Sequence, residues 1–340
     1  MVAPRTLFSL LALAGILALT GCEAGDEAPA DQEETQTPDR IEDALPEGAQ
    51  ALSLLGEPLF PPELPQEARA TREAQLAEAL QALEADPEGA DALIWAGRRY
   101  AYLGEYRKAI EVFSEGIAQH PEDARFYRHR GHRFISVREF DNAIADFERA
   151  AELIAGTEDE VEPDGQPNAL GIPTSTLHFN IWYHFGLAHF VKGDFEAALP
   201  IYETCMEASI HPDSKVATAH WLYMTLRRLG HDEEARSFMA GLDLDALASD
   251  VIESGSYLDL LRLYKASEET EGTDTDTVYA ESMDGAALGY GHGNFYLYNG
   301  RTDEARAVFE EIVAAKSQWA AFGYIAAEAD LARLGAGNGP

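Results

Sequence analysis

Two cysteines in 340 residues, Cys22 and Cys205, leave no disulfide framework and too few thiolates for a zinc ribbon. Positive charge is equally scarce. Twenty-five Lys and Arg face 60 Asp and Glu, a formal charge of −35, and such a polyanion is repelled by phosphate backbones and anionic lipid surfaces. Nucleic-acid binding is excluded on that ground. The most apolar stretch, Leu7 to Leu19, has 13 residues, short of the roughly 20 that a membrane-spanning helix needs. The H-E-x-x-H, G-x-S-x-G and Walker patterns are missing and no paired-carboxylate constellation stands out, so no enzyme, metal or cofactor is expected. Gly291-His292-Gly293 falls within helical periodicity rather than after a strand, which rules out a phosphate loop. The pairs His129/His132 and His184/His189 have spacings a metal tolerates, but read more simply as hydrogen-bonding side chains. What the chain does have is 46% apolar residues, enough for a sizeable core.

The amino terminus reads as an export signal: Arg5, the apolar stretch, then Leu19-Thr20-Gly21-Cys22. Those four residues resemble the bacterial lipobox. The resemblance implies cleavage after Gly21 (signal peptide 1–21), acylation of Cys22, and a protein tethered through its lipid anchor only. Glu23, rather than Asp, follows the cysteine, which under the sorting rule of some Gram-negative bacteria implies an outer-membrane lipoprotein, periplasm-facing or surface-exposed. Residues 23–57 carry eleven acids and one base, Arg40. A stretch so charged cannot bury itself, so residues 22–66 are expected to form an acidic, flexible linker.

Beyond the linker the sequence repeats. An offset of 34 residues superposes Gly97 on Gly131, Tyr100 on Phe134, Tyr106 on Phe140, Ala109 on Ala143 and Phe113 on Phe147. The same small and aromatic residues return around Gly186 and Ala198, around Ala235, and around Gly293 and Ala305. This period and residue pattern resemble the tetratricopeptide repeat family. The resemblance implies an all-α fold, a right-handed α-solenoid of helix-turn-helix units, with repeats at about 90–123, 124–155, 179–212, 216–244 and 286–317. Glycine and alanine at positions 8 and 20 of a unit let its two helices touch while aromatics at 11 and 24 fill the surrounding space. Gly104, Gly193, Gly230 and Gly300 fall in the turns between them.

The alanines at position 20 are spaced by 34, 55, 37 and 70 residues. The long gaps place an inserted loop at 156–175 and a degenerate helix pair within 245–285, including an acidic stretch at 268–276. Residues 67–85 read as a lone helix covering the first unit, 319–334 as a terminal capping helix closing the solenoid of 67–334, and 335–340 as a tail.

In tetratricopeptide proteins the first helix of each unit lines the concave face. The matching positions here hold Trp95, Arg98 and Tyr102; Arg125, Arg128, His129 and His132; Tyr183 and His184; Trp221 and Arg228; and Tyr298. Apart from Asp91 this stripe has no acid, and residues 91–139 carry nine bases against seven acids in an otherwise strongly acidic chain. Arginine forks suit carboxylates and aromatics suit desolvated anchors. The stripe therefore implies a groove for another envelope protein or peptide, with acidic or C-terminal carboxylate groups, bound by a membrane-anchored scaffold or adaptor. Two other readings remain open. Neighbouring acids could neutralise the arginines, or Trp95, Tyr183, Trp221 and Tyr298 could stack on sugar rings of a glycan. The Lys and Asn positions by which some relatives grip acidic chaperone tails hold Ile94 and Ala217 here, so that activity is not implied.

Overall fold

A computed structural model describes residues 45–269 and 283–336. Their helices follow the repeat. After α1 (Gln66–Ala85) come the hairpins α2/α3 (Ala90–Tyr102, Tyr106–Gln119), α4/α5 (Ala124–Ser136, Phe140–Ile154), α6/α7 (Leu177–Lys192, Phe195–Ala208) and α8/α9 (Pro212–Arg228, Asp232–Gly241). The short α10 (Leu244–Ala248) and α11 (Gly255–Glu269) occupy the place of the degenerate pair, followed by α12/α13 (Met283–Tyr298, Thr302–Ala314) and α14 (Phe322–Ala336). Most of the acidic stretch 268–276 lies outside the described residues. The helices stack in chain order, each hairpin against the next, which makes the fold an all-α solenoid.

Local chemistry explains the regularity. Ala109, Ala143, Ala198, Ala235 and Ala305 are all fully buried. The glycine at position 8 faces the aromatic at position 24 of its own unit: Gly97 meets Phe113, Gly131 meets Phe147, Gly186 meets Tyr202 and Gly293 meets Phe309. A Cβ at these glycines would stand 2.3–2.9 Å from the ring, so the hydrogen is what permits the contact. Asp123 and Thr176 cap α4 and α6 by accepting from the backbone N–H groups of Arg125 and Phe179.

The inter-helix turns at Gly104, Gly193, Gly230 and Gly300 adopt the left-handed conformation, with φ between 72° and 94°. The second repeat breaks the rule. Its turn residue is Arg138, at φ 67°, a conformation that L side chains rarely adopt. The reason lies in its side chain, which reaches the far end of the protein (below).

Two expectations need correction. An acidic linker running as far as residue 66 does not match the structure, in which the chain from Ala49 onward lies against the solenoid. Strands β1 (Ala51–Leu52) and β2 (Pro58–Leu59) form a small antiparallel hairpin, with Ala51 opposite Leu59 and both buried. Arg107 donates to the Gln50 carbonyl at 2.8 Å and Trp319 Nε1 to the Phe60 carbonyl at 2.7 Å. This strap thus bridges early and late helices. The second correction concerns α14. It covers α12 and α13 as a cap should, but it also runs along α6, inside the concave face. Of its nine residues from Gly323 to Leu331, six are glycine, alanine or branched aliphatics that fit the space, and the two acids among them pair with Arg138 and Arg228.

Candidate functional site

The concave stripe is divided in two by α14. On the side of the later repeats the helix occupies the groove. Phe322 lies 5.3 Å from the His132 ring, 5.4 Å from His184 and 6.3 Å from Tyr183, centroid to centroid. Asp330 takes two bonds from Arg228, at 2.9 and 3.0 Å, two more from Arg333 and a fifth from the Tyr290 hydroxyl. Burial pushes its carboxyl upward, but Arg228 and Arg333 outweigh this and hold it below the usual carboxylate range. Glu328 forms a two-pronged pair with Arg138, which also donates to the Trp319 carbonyl.

Several candidate residues are therefore already paired within the protein. Arg228 is neutralised by Asp330. Arg125 pairs with Asp91 and Asp123 at 2.8 and 2.6 Å, which raises its pKa. Trp221 is 1% exposed and donates its indole N–H to the Tyr183 hydroxyl at 2.8 Å. Tyr298 lies beneath the Arg227 guanidinium at 4.5 Å. The sugar-stacking reading is not supported, because Tyr183 and Trp221 present their faces to Phe179, Phe190 and Tyr290 instead of solvent. Of its four aromatics, Trp95 already carries Arg98 and Arg99 over its ring, at 4.4 and 5.0 Å.

On the side of the early repeats a cavity of about 260 Å³ survives between α2, α4 and the start of α6, under the inserted loop 156–175. Arg98, Tyr102, Arg128, His129, His132 and Arg133 form its wall, and Glu162, Asp164 and Glu253 stand at its rim. Helical spacing accounts for the wall: Arg98 and Tyr102 are one turn apart on α2, as are Arg128 and His132, and His129 and Arg133, on α4. A second cavity of about 520 Å³ lies on the other side of Tyr102, His132 and Arg133, lined by Arg72, Tyr106, Gln166 and Phe322.

Positive charge is crowded here. Arg98 and Arg128 are only 8% and 7% exposed. Arg98 donates to the Tyr102 hydroxyl at 3.1 and 3.3 Å, and Arg133 lies over the Tyr106 ring at 5.2 Å. Among the described residues neither has a carboxylate within 4.0 Å. Burial lowers the Arg133 pKa to about 10, Tyr106 opposes the shift and Arg128 adds to it. His129, His132 and His184 are pushed well below 6.5 by burial and then by the neighbouring arginines, so they stay neutral. Accordingly Arg128 donates to His129 Nδ1 at 3.0 Å, and His184 Nδ1 donates to the Asn180 carbonyl at 2.6 Å. The described residues contain no group of three or more His, Cys, Asp or Glu arranged to hold a metal. Burial also pushes the Cys205 thiol up to about 12, which keeps it unreactive.

Arg133, Glu162, Glu328 and Asp330 escaped the reading of the sequence. Arg133 falls one place outside the stripe positions considered. Glu328 and Asp330 did carry a signal: two acids two apart in a helix whose only other charged residue is Arg333. Glu162 carried none, since loop acids are abundant in this chain.

Family models described as tetratricopeptide repeat match residues 90–133 and 179–209, so the chain contains tetratricopeptide repeats in its first and third hairpins. Among solved structures it is similar to YrrB, described as a TPR protein with an unusual peptide-binding site, at 16% identity over 70% of this chain and 91% of that one (TM-score 0.39). It is also similar to MamA, at 16% identity over 62% and 92% (TM-score 0.39). A third is TTC0263, a TPR protein of Thermus thermophilus, at 17% over 60% and 93% (TM-score 0.40). No curated protein matches the chain.

Proposed function

We propose that the protein is a membrane-tethered interaction scaffold of the bacterial envelope, and that it holds an acidic segment of a partner protein at the Arg98–Arg128–Arg133 cavity. Tetratricopeptide repeats serve as protein-binding modules, which supports the coarse reading. One observation carries the finer one: Arg98 and Arg133 are kept in a partly desolvated site without an acid within 4.0 Å among the described residues, in a chain where acids outnumber bases by more than two to one. An anionic group entering there meets charge-assisted donors already fixed in place. The lipobox-like ending at Cys22 supports the tether.

The test is a cross-linking capture from native envelopes, comparing the natural protein with an Arg98→Gln/Arg133→Gln variant whose helical content and melting are checked first. A defined protein retained by the former and lost by the latter supports the reading. Identical capture by both removes the cavity from partner binding.

A further inference from the structure

Three kinds of buried acid meet arginines or backbone donors in this protein, and they differ in geometry. Glu328 and Asp330 each engage an arginine through both oxygens with directed hydrogen bonds. Asp213 accepts three backbone N–H groups, from Ile252, Glu253 and Ser254, and organises the start of α11. Glu162 does neither. Its Oε2 lies 2.8 Å from Arg128 Nε, yet neither atom makes a directed hydrogen bond. The pair is held by charge, with donor and acceptor out of line, although both side chains are about nine-tenths buried.

The segment that carries Glu162 is attached by hydrogen bonds rather than apolar packing, with Leu177 and His178 donating their backbone N–H groups to the Glu160 carbonyl and the Asp159 carboxylate at 2.9 and 3.0 Å. Arg99 donates to the Gly165 carbonyl at 3.1 Å, and Gly165 rests against the Tyr102 hydroxyl. At the loop's far end Thr174 donates to Glu253 at 2.5 Å, and a single bridge joins Val161 to Thr176. Val161, Leu170 and Ile172 remain exposed, so the loop has no apolar anchor of its own among these residues. Such a segment opens at little cost compared with the helices beneath it.

Building on the scaffold reading above, we propose that the cavity is a carboxylate site, and that Glu162 is its resident internal ligand, displaced when an external carboxylate binds. Arg128 already stands 2.8 Å from a carboxylate without a directed bond to it, while Arg98 and Arg133 offer donors that Glu162 does not use. A cavity of about 260 Å³ admits a small polycarboxylic acid or the last one or two residues of an acidic peptide, but not a helix. Asp164 and Glu253 at the rim disfavour further negative charge outside the pocket, so the ligand is acidic at its tip.

Titration calorimetry on the chain from residue 23 onward tests this with two sets of probes. Succinate and citrate represent free acids. A peptide ending in Asp-Glu with a free carboxyl terminus, and the same peptide amidated, represent a chain end. Glu162→Gln is expected to bind the preferred probe at least tenfold more tightly, because the internal competitor no longer occupies the site. Arg98→Gln is expected to lose it. Binding by the natural protein is expected to increase amide hydrogen exchange in residues 158–166 while slowing it in α4, a pattern that general stabilisation does not produce. Equal affinity of the natural protein and Glu162→Gln, or slower exchange in the loop on binding, would overturn the proposal. So would the absence of binding by any probe to either form. Its failure is distinguishable from failure of the scaffold reading. Partner capture that depends on Arg98 and Arg133 but is unaffected by Glu162→Gln leaves the scaffold standing without the resident ligand. Tight acid binding with no captured protein does the reverse.

Discussion

Glu328 of α14 closes on the guanidinium of Arg138, 190 positions earlier, with both oxygens engaged and both side chains almost wholly shielded from water. Arg138 occupies the turn position that is glycine in four other repeats, so the turn imposes its left-handed backbone at φ 67° and the buried contact offsets the strain of a side chain there. The strain at one turn and the buried pair are therefore a single feature. Together they fix the last helix against the second repeat.

Removing one partner should leave the other charge buried and uncompensated. Glu328→Leu is expected to lower stability by about 3–5 kcal/mol. Arg138→Gly relieves the backbone and still destabilises, because Glu328 is then unpaired. The Arg138→Gly/Glu328→Leu double variant should be more stable than either single change. Denaturant midpoints measure all three, and simple additivity would show that the pair is not coupled.

Glycine contacts should rank by what opposes them. At Gly323 an added methyl would stand 2.2 Å from the Ala286 backbone oxygen, which cannot rotate away. At Gly97 it would meet the Phe113 ring at 2.4 Å, and a ring can shift. Gly230 has open space but a φ of +72°. Replacement by alanine is expected to cost most at Gly323, about 1–3 kcal/mol at Gly97, and about 1 kcal/mol at Gly230. Thermal melts of the three variants check the order.

Acid should destabilise the fold through its buried histidines. His220 stacks on Tyr257 and Tyr264, at 4.6 and 5.9 Å, and burial lowers its pKa to about 3. In the unfolded chain the ordinary value of about 6.5 applies. The folded form thus binds the proton less well, so the stability that neutral His220 supplies is present above pH 6.5 and is lost as pH falls from there towards 3. The slope is about 1.4 kcal/mol per pH unit for this group. His220→Gln removes it, so the stability deficit of that variant should narrow by this amount per unit below pH 6.5. Comparing two proteins with the same carboxylates cancels the effect of their titration. A constant deficit would mean that His220 is protonated in the folded state.

Membrane association should depend on one atom. Cys22→Ser removes the sulfur that a diacylglyceryl group would occupy. The variant is expected to move from the membrane pellet to the soluble fraction, since each buried methylene contributes about 0.8 kcal/mol to anchoring. Retention in the pellet would contradict lipidation at this position.

The helices and their order could be read from the sequence because the contacts that define them are local. Gly97 with Phe113, and Gly131 with Phe147, lie 16 residues apart within one hairpin, so a 34-residue period records them directly. The insertion at 156–175 and the irregular pair near α10 and α11 were visible as breaks in that period. The arrangement of the concave stripe was only half visible. Arg98, Tyr102, Arg128, His129 and His132 do converge on one cavity. Trp221, Tyr183, His184 and Arg228 share the same periodicity but lie under α14 or inside the core.

Periodicity states which side of a helix faces inward, and so the sequence alone determined the hairpins, their shared glycine and alanine contacts, and the cationic stripe along the first helices. It carries no information about which distant segment comes to rest on that stripe. Only the tertiary structure decided that α14 fills the later half, that the strap at residues 49–62 bridges early and late helices, and that Glu162 stands over the arginines that remain. Those contacts join residues up to 259 positions apart, and a repeat period does not register a contact made once. They form because buried polar groups such as the Glu328 carboxylate and the Trp319 indole N–H take their partners from whichever segment the fold brings within reach.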